Sequence, residues 1–197
     1  MDNMLEMFAS LMGNRQFEAL GNTLGLSPSN AKQASVSALP LLIKGLAQNT
    51  KDQAGAASLS NALDRDHDGD VLDDLGALFS GGPSSDGQKI VQHVFGSKLP
   101  GVENTVSRLG GIDLSAVGKL LPLLAPMVLG MLGKKKKEQG LDPSGLASLL
   151  NSEEQRVERR APEATGLFSA LLDRDGDGQV MDDVLDIGGS LLKGLFR

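Results

Sequence analysis

The chain has no cysteine, tryptophan or tyrosine, and its only aromatics are six phenylalanines among 197 residues. Without cysteine, no disulfide, thiolate nucleophile or thiolate-held zinc can form. Without large aromatic side chains, the core must be filled by Leu, Met, Ala and Val, a palette that favours helices over strands. Histidine is nearly missing too. His67 and His93 stand far apart with no partner motif beside either one. No phosphate-binding loop, dinucleotide fingerprint or serine elbow occurs, so nothing assembles a nucleophile or an acid–base pair, and the chain is expected not to be an enzyme. The opening Met1-Asp2-Asn3-Met4-Leu5-Glu6 has an acidic flank and no long apolar run, unlike a secretory signal. A cytoplasmic location is the expectation, with export by another route left open.

What is present is a large stock of small and aliphatic residues. About 40% of the chain is hydrophobic, the proportion of a globular protein, and 25 glycines predict short, interrupted helices. The formal net charge is −6, but it is concentrated. Windows 64–74 and 173–183 hold 11 of the 25 acids, and outside them 14 acids face 17 bases, a balance of +3. A solvating acidic surface spreads its charge, whereas these two windows collect it.

Apolar residues recur at helical spacing along most of the chain. A first helix is expected over about residues 3–20, with Met4, Met7, Phe8, Leu11 and Met12 on one face. Ser27-Pro28 reads as an N-cap followed by proline at the first helical position. The helix it opens steps through Val36, Leu39, Ile43 and Leu46, with a kink expected at Pro40. A further helix ends at Leu63, another covers Val71 to Phe79, and Gly81 to Ser85 reads as a linker. Short helices near 87–97 and 102–109 precede an apolar run from Leu114 to Gly133.

The second half echoes the first. Ala38-Leu39-Pro40-Leu41-Leu42-Ile43 returns as Leu124-Ala125-Pro126-Met127-Val128-Leu129, and Asn61-Ala62-Leu63-Asp64-Arg65-Asp66 as Ala170-Leu171-Leu172-Asp173-Arg174-Asp175. The offsets are 86 and 109, so the later copy carries 23 extra residues, for which the charged stretch Ser152 to Glu163 is the obvious insertion, read as a loop. The expected architecture is an all-α multi-helix bundle built by degenerate tandem duplication, with two helix–loop–helix aspartate loops. Its segments are a helical repeat with the first loop (1–82), a linker and second repeat (83–150), and a charged insertion with the second loop and a final helix (151–197).

The two acidic windows share one pattern. Asp64-Arg65-Asp66-His67-Asp68-Gly69-Asp70-Val71-Leu72-Asp73-Asp74 matches Asp173-Arg174-Asp175-Gly176-Asp177-Gly178-Gln179-Val180-Met181-Asp182-Asp183. Calcium takes about six to eight oxygens, which a loop supplies by turning alternate residues inward. Asp64, Asp66 and Asp68, like Asp173, Asp175 and Asp177, stand at positions 1, 3 and 5. Gly69 and Gly178 at position 6 permit the sharp turn, and Asp70 and Gln179 at position 7 can offer a carbonyl. The loops resemble the EF-hand family to this point. They depart from it at position 12, where Leu75 and Val184 replace the closing glutamate. That ligand would then come from Asp74 and Asp183, with Asp73 and Asp182 as the fallback. The cation expected is calcium, with magnesium the second choice because it keeps its waters. Val71 and Val180, at position 8, suggest that the loops pair. The alternative is that both loops are metal-free caps and turns, where aspartate is also favoured. His67, at position 4, is expected to face solvent, and His93 to be half-buried.

Much of residues 1–150 also resembles a bacterial domain-of-unknown-function family, number 937. The resemblance rests on Leu26-Ser27-Pro28, Ala38-Leu39-Pro40-Leu41-Leu42, Leu63-Asp64-Arg65-Asp66-His67-Asp68-Gly69 and Leu124-Ala125-Pro126-Met127-Val128-Leu129-Gly130. It implies a helical fold without an assigned activity, the later aspartate loop being an added copy.

The expected function is divalent-cation binding by a non-enzymatic helical protein acting in interaction or assembly. The alternative is a DNA-associated or membrane-surface helical protein whose loops are only structural. A recognition helix over Leu24 to Leu46 would offer only Lys32 and Lys44, which disfavours nucleic acid. Leu120 to Gly133 rises only about 21 Å as a helix, too little to span a bilayer, which favours a buried helix over a membrane partner. Such an all-round apolar helix also suits an oligomer or protein interface. Lys134 to Lys137 reads as the cationic end of that helix.

Overall fold

The computed structural model describes residues 3–162 and 166–167, which are all-helical with no strand among them. The helices are α1 (Met4–Leu11), α2 (Asn14–Leu24), α3 (Pro28–Asn49), α4 (Gln53–Asp66), α5 (Leu75–Ser80), α6 (Ser85–Phe95), α7 (Leu99–Gly110), α8 (Leu114–Gln139) and α9 (Pro143–Arg160). Side-chain caps open most of them. Asn3, Ser27, Asp52, Ser84, Asp113 and Asp142 each accept a backbone N–H three residues on, satisfying a donor the helix itself leaves free.

Two long helices carry the centre. α3 runs unbroken through Pro40 for 22 residues, and α8 runs through Pro122 and Pro126 for 26. The glycine count therefore did not shorten these helices. Several glycines instead sit where helices touch. A Cβ on Gly87 would lie 2.0 Å from the Pro122 carbonyl oxygen, and one on Gly45 would lie 2.6 Å from the Phe95 ring. Glycine there brings α6 against both α8 and α3.

One hydrophobic core runs from Met4 to Val157, across the boundaries expected near residues 82 and 150. It is aliphatic as the composition requires, with Phe8, Phe17, Phe79 and Phe95 at its aromatic points. α8 is long and apolar enough to cross a membrane, yet 89% of its apolar window is buried inside the protein.

Local expectations are adjusted in several places. The first helix is two, because Gly13 starts a new one, its N–H donating to Gln16 Oε1 at 3.1 Å. Val36 is 55% exposed, so the buried stripe of α3 omits it. α4 continues three residues past Leu63 to Asp66. The stretch after the loop is a 3-10 turn, Asp70–Leu72, followed by short α5, rather than one helix. The stretch from Ser152 is no loop, since Ser152 to Arg160 form the second half of α9, with Glu153 and Val157 buried.

α4 lies against α8 and α9, and α9 lies against α3. Asp52 and Asp142 open α4 and α9 with the same bond, each Oδ1 accepting from a glycine three residues on, Gly55 or Gly145, at 2.7 Å. Asp52-Gln53-Ala54-Gly55-Ala56-Ala57-Ser58-Leu59-Ser60-Asn61 aligns with Asp142-Pro143-Ser144-Gly145-Leu146-Ala147-Ser148-Leu149-Leu150-Asn151 at an offset of 90. α3 and α8 align at 86, through the caps Ser27 and Asp113 and the prolines Pro40 and Pro126.

A candidate cation loop seated on the central helix

The first aspartate loop begins inside α4. Asp64 and Asp66 occupy its last turn, and His67 ends it. Two residues apart on a helix, their side chains leave in directions about 200° apart. Asp64 Oδ1 accepts a short hydrogen bond from Lys136 Nζ of α8, and Asp66 Oδ2 pairs with Arg65 at 2.9 Å. Gly69 then takes φ +115° and ψ −11°, a left-handed conformation open to glycine and costly for other residues. That turn brings the Asp70 N–H to within 3.3 Å of Asp68 Oδ1, so Asp68 folds toward the loop's own backbone. Asp73 is exposed, as are Asp64, Asp66, Asp70 and Asp74. Asp74 has another task here. It caps α5, its Oδ1 accepting from the Ala77 N–H at 2.8 Å.

The structure thus folds the Asp68 carboxylate onto the Asp70 backbone and turns Asp64 and Asp66 toward cationic side chains. Among the described residues, no three His, Asp or Glu side chains gather as metal ligands do. Asp173, Asp175, Asp177, Gln179, Asp182 and Asp183 lie outside the described residues, as does any pairing of Val71 with Val180.

The loop does not hang free. It rests on one face of α8, where glycine removes the side chains that would hold it off. A Cβ on Gly133 would fall 1.9 Å from the His67 carbonyl oxygen, and one on Gly130 would fall 2.5 Å from a Val71 methyl carbon. Lys134 follows on the same helix, and its own Cβ lies 3.2 Å from where a Cβ on Gly69 would stand. The loop's anchors are therefore Gly130, Gly133 and Lys136, none of which the pattern of the loop itself reveals. The signal was a glycine pair three apart, followed within a turn by lysines, on the one described helix long and apolar enough to cross a membrane.

The two histidines exchange their expected roles. His67 has a side chain only 11% exposed, with Nε2 4.0 Å from Asp86 Oδ2 at the start of α6. His93 is exposed on α6. The loop's contact with α8 and α6 buries a position that in an isolated loop would face water.

The family model described as "Bacterial protein of unknown function (DUF937)" matches residues 6–135. The chain belongs to that family. The matched stretch of this DUF937 protein takes in the first loop and the Gly130–Gly133 seat that receives it, while α9 and the second loop follow it. No curated protein and no solved structure matches the chain.

Proposed function

We propose that this protein is a non-enzymatic divalent-cation binder, with calcium the preferred ion and magnesium the second choice, in which each aspartate loop couples an ion to the packing of the helices around it. The helices arise in this reading from a tandem duplication, supported by the caps and prolines that align at offsets of 86 and 90. Cation binding rests foremost on Gly69. The loop already makes its tight turn at the sixth position, with Asp68 folded inward and open carboxylates on both sides. Six aspartates within eleven residues repel one another unless positive charge is supplied. Lys136 and Arg65 supply part of it, from opposite sides.

Uptake of an ion in this reading is an exchange. The last turn of α4 opens, Asp64 leaves Lys136, and Asp64 and Asp66 join Asp68 around the cation. The ion thereby loosens the bond between α4 and α8 while tightening the loop, a means of transmitting its presence to partner-binding surfaces. A second reading has its own observation. The Lys136–Asp64 bond and the Asp74 cap already satisfy the loop, which then serves as a metal-free joint.

Titration of the full chain with calcium and, separately, magnesium distinguishes the two. At a calcium concentration a hundredfold above Kd, a single site adds about 2.7 kcal/mol, or a rise in Tm of about 5–10 °C. Lys136→Met removes the competing ammonium, so it should raise calcium affinity, and Asp68→Ala should abolish the first site. If neither ion moves Tm and Lys136→Met only destabilises, the joint reading stands and the cation reading fails.

A further inference from the structure

The aligned halves present one helix joint twice, and the second copy is missing a part. The helix alignment differs from the echo of the loop motif, which sets Asp64 against Asp173. Carried three residues past Asn61 and Asn151, the offset of 90 sets Asp64 of α4 against Glu154 of α9, and the offset of 86 sets Lys136 of α8 against Thr50 at the end of α3. In the first joint, Lys136 spans the gap and bonds Asp64. In the second, Thr50 is too short to cross, and its hydroxyl turns back to donate to the Ala47 carbonyl at 2.9 Å. A cavity of about 300 Å³ opens there, with Thr50, Lys51, Ser148, Asn151 and Glu154 as its polar lining. Ala47 and Ala147 line the remainder. By that correspondence, the void takes the place of the lysine side chain of the other joint.

Its chemistry is two-signed. The Glu154 side chain is 14% exposed, and both of its interactions, from Gln48 Nε2 at 3.1 Å and with Lys44 Nζ at 4.0 Å, use Oε1. Lys44 directs its closer bond to Glu158, at 2.7 Å. Glu154 can therefore still receive a cation from the cavity side. Lys51, exposed beside the same cavity, offers the opposite charge. Ser148 and Asn151 add neutral hydrogen-bonding groups. The volume sits at the small end of the range for small-molecule sites.

We propose that this cavity binds a small zwitterionic amine, its ammonium group taking the place of the absent lysine at Glu154 and its carboxylate meeting Lys51. The proposal rests on the correspondence of the two halves and is independent of whether the aspartate loops hold a cation. Recognition by both ends selects an ω-amino acid over a simple amine or a simple acid.

Amide-resolved NMR titration of the full chain tests it, with 6-aminohexanoate, hexylamine and hexanoate as probes, in metal-free buffer so that the loops contribute nothing. Saturable shifts confined to Lys51, Ser148, Asn151 and Glu154 are expected with 6-aminohexanoate. Hexylamine should bind about tenfold more weakly, and hexanoate not at all. Glu154→Gln should remove the ammonium-dependent binding. Thr50→Lys restores the lysine of the first joint, so it should block the probe and raise Tm. Absence of saturable shifts with 6-aminohexanoate at tens of millimolar overturns the proposal. So does a Thr50→Lys protein that binds the probe as the parent does, which would place binding elsewhere.

Discussion

At the residue scale, the chain leans on carboxylates that stay charged because the backbone needs them. Asp142 is held below the usual carboxylate range by the Gly145 N–H and then by the Ser144 hydroxyl. Asp113 is lowered likewise, by the Ser115 hydroxyl first and then by the Ala116 N–H. A carboxyl whose folded pKa is depressed contributes stability that is complete above its unfolded pKa and disappears as pH falls through the folded value. Acidification below about pH 4 should therefore weaken the starts of α8 and α9. The double variant Asp113→Asn/Asp142→Asn keeps an oxygen cap but has no charge to lose. Its Tm should fall less than that of the parent between neutral and acid pH, which a series of thermal melts would show. Glu103 runs the other way, since burial raises its pKa. Its ionisation opposes folding as pH rises through that raised value, a smaller counter-slope in the same melts. Glu153 is a third kind of acid, 2% exposed, with Oε2 accepting the Met4 N–H at 3.0 Å. Glu153→Ala leaves that buried donor without its acceptor, at a cost of about 1–3 kcal/mol in denaturant unfolding. Hydrogen exchange should quicken first at the start of α1.

At the element scale, the decisive object is the contact between the first loop and α8. Gly133→Ala drives a methyl group into the His67 carbonyl, so the loop must lift or α8 must shift. Overpacking of this kind costs about 1–3 kcal/mol. The lesion should be local. His67 and Gly69 amides should lose exchange protection while α2 and α7 keep theirs, and equal loss throughout would argue against a separable seat. Much of the element order was readable beforehand. Ser27-Pro28 marks the start of α3 through a cap and a preset φ, and both signals are local to the chain. Likewise, Leu114 to Gly133 announces a buried helix by composition alone. Other features depend on contacts that no local pattern encodes. Val36 fits the apolar stepping of α3, yet the described residues leave it largely exposed, whereas His67 looks solvated and is covered by packing. The second half of α9 looks like an inserted loop in the sequence because Glu153, Glu154 and Glu158 resemble an insertion by charge. Their partners, Met4, Lys44 and Gln48, lie over one hundred residues away. The loop's chemistry could be read as a list of donors, but its present geometry could not, because Lys136 and the Asp74 cap compete for the same oxygens.

At the scale of the whole molecule, the two aligned halves share one hydrophobic core. α4, from the first half, rests on α8 and α9 of the second, and α9 crosses back to α3. Each half thus supplies a helix that finishes the other's core. Residues 1–82 contain α1 to α5 and the first loop, yet without α8 they lack the surface under Leu63, Leu72 and Leu75, all buried in the shared core. Marginal stability leaves little room for such a loss, since a domain's net stability is only about 5–15 kcal/mol and each large apolar side chain left exposed forfeits about 1.5–3 kcal/mol. A fragment of residues 1–82 should therefore lack cooperative unfolding, as should a fragment of residues 83–197. Mixing the two should restore helicity and a melting transition, because the missing surfaces are then supplied in trans. Far-ultraviolet circular dichroism of each fragment and of the equimolar mixture reads this directly. A cooperative melt from either fragment alone would mean that exchange of helices between halves is incidental to folding. Recovery only on mixing would make that exchange a requirement of folding and, under the proposed cation binding, would give an ion at the first loop a path to the opposite half, since α8 is the seat of that loop and a wall of the common core.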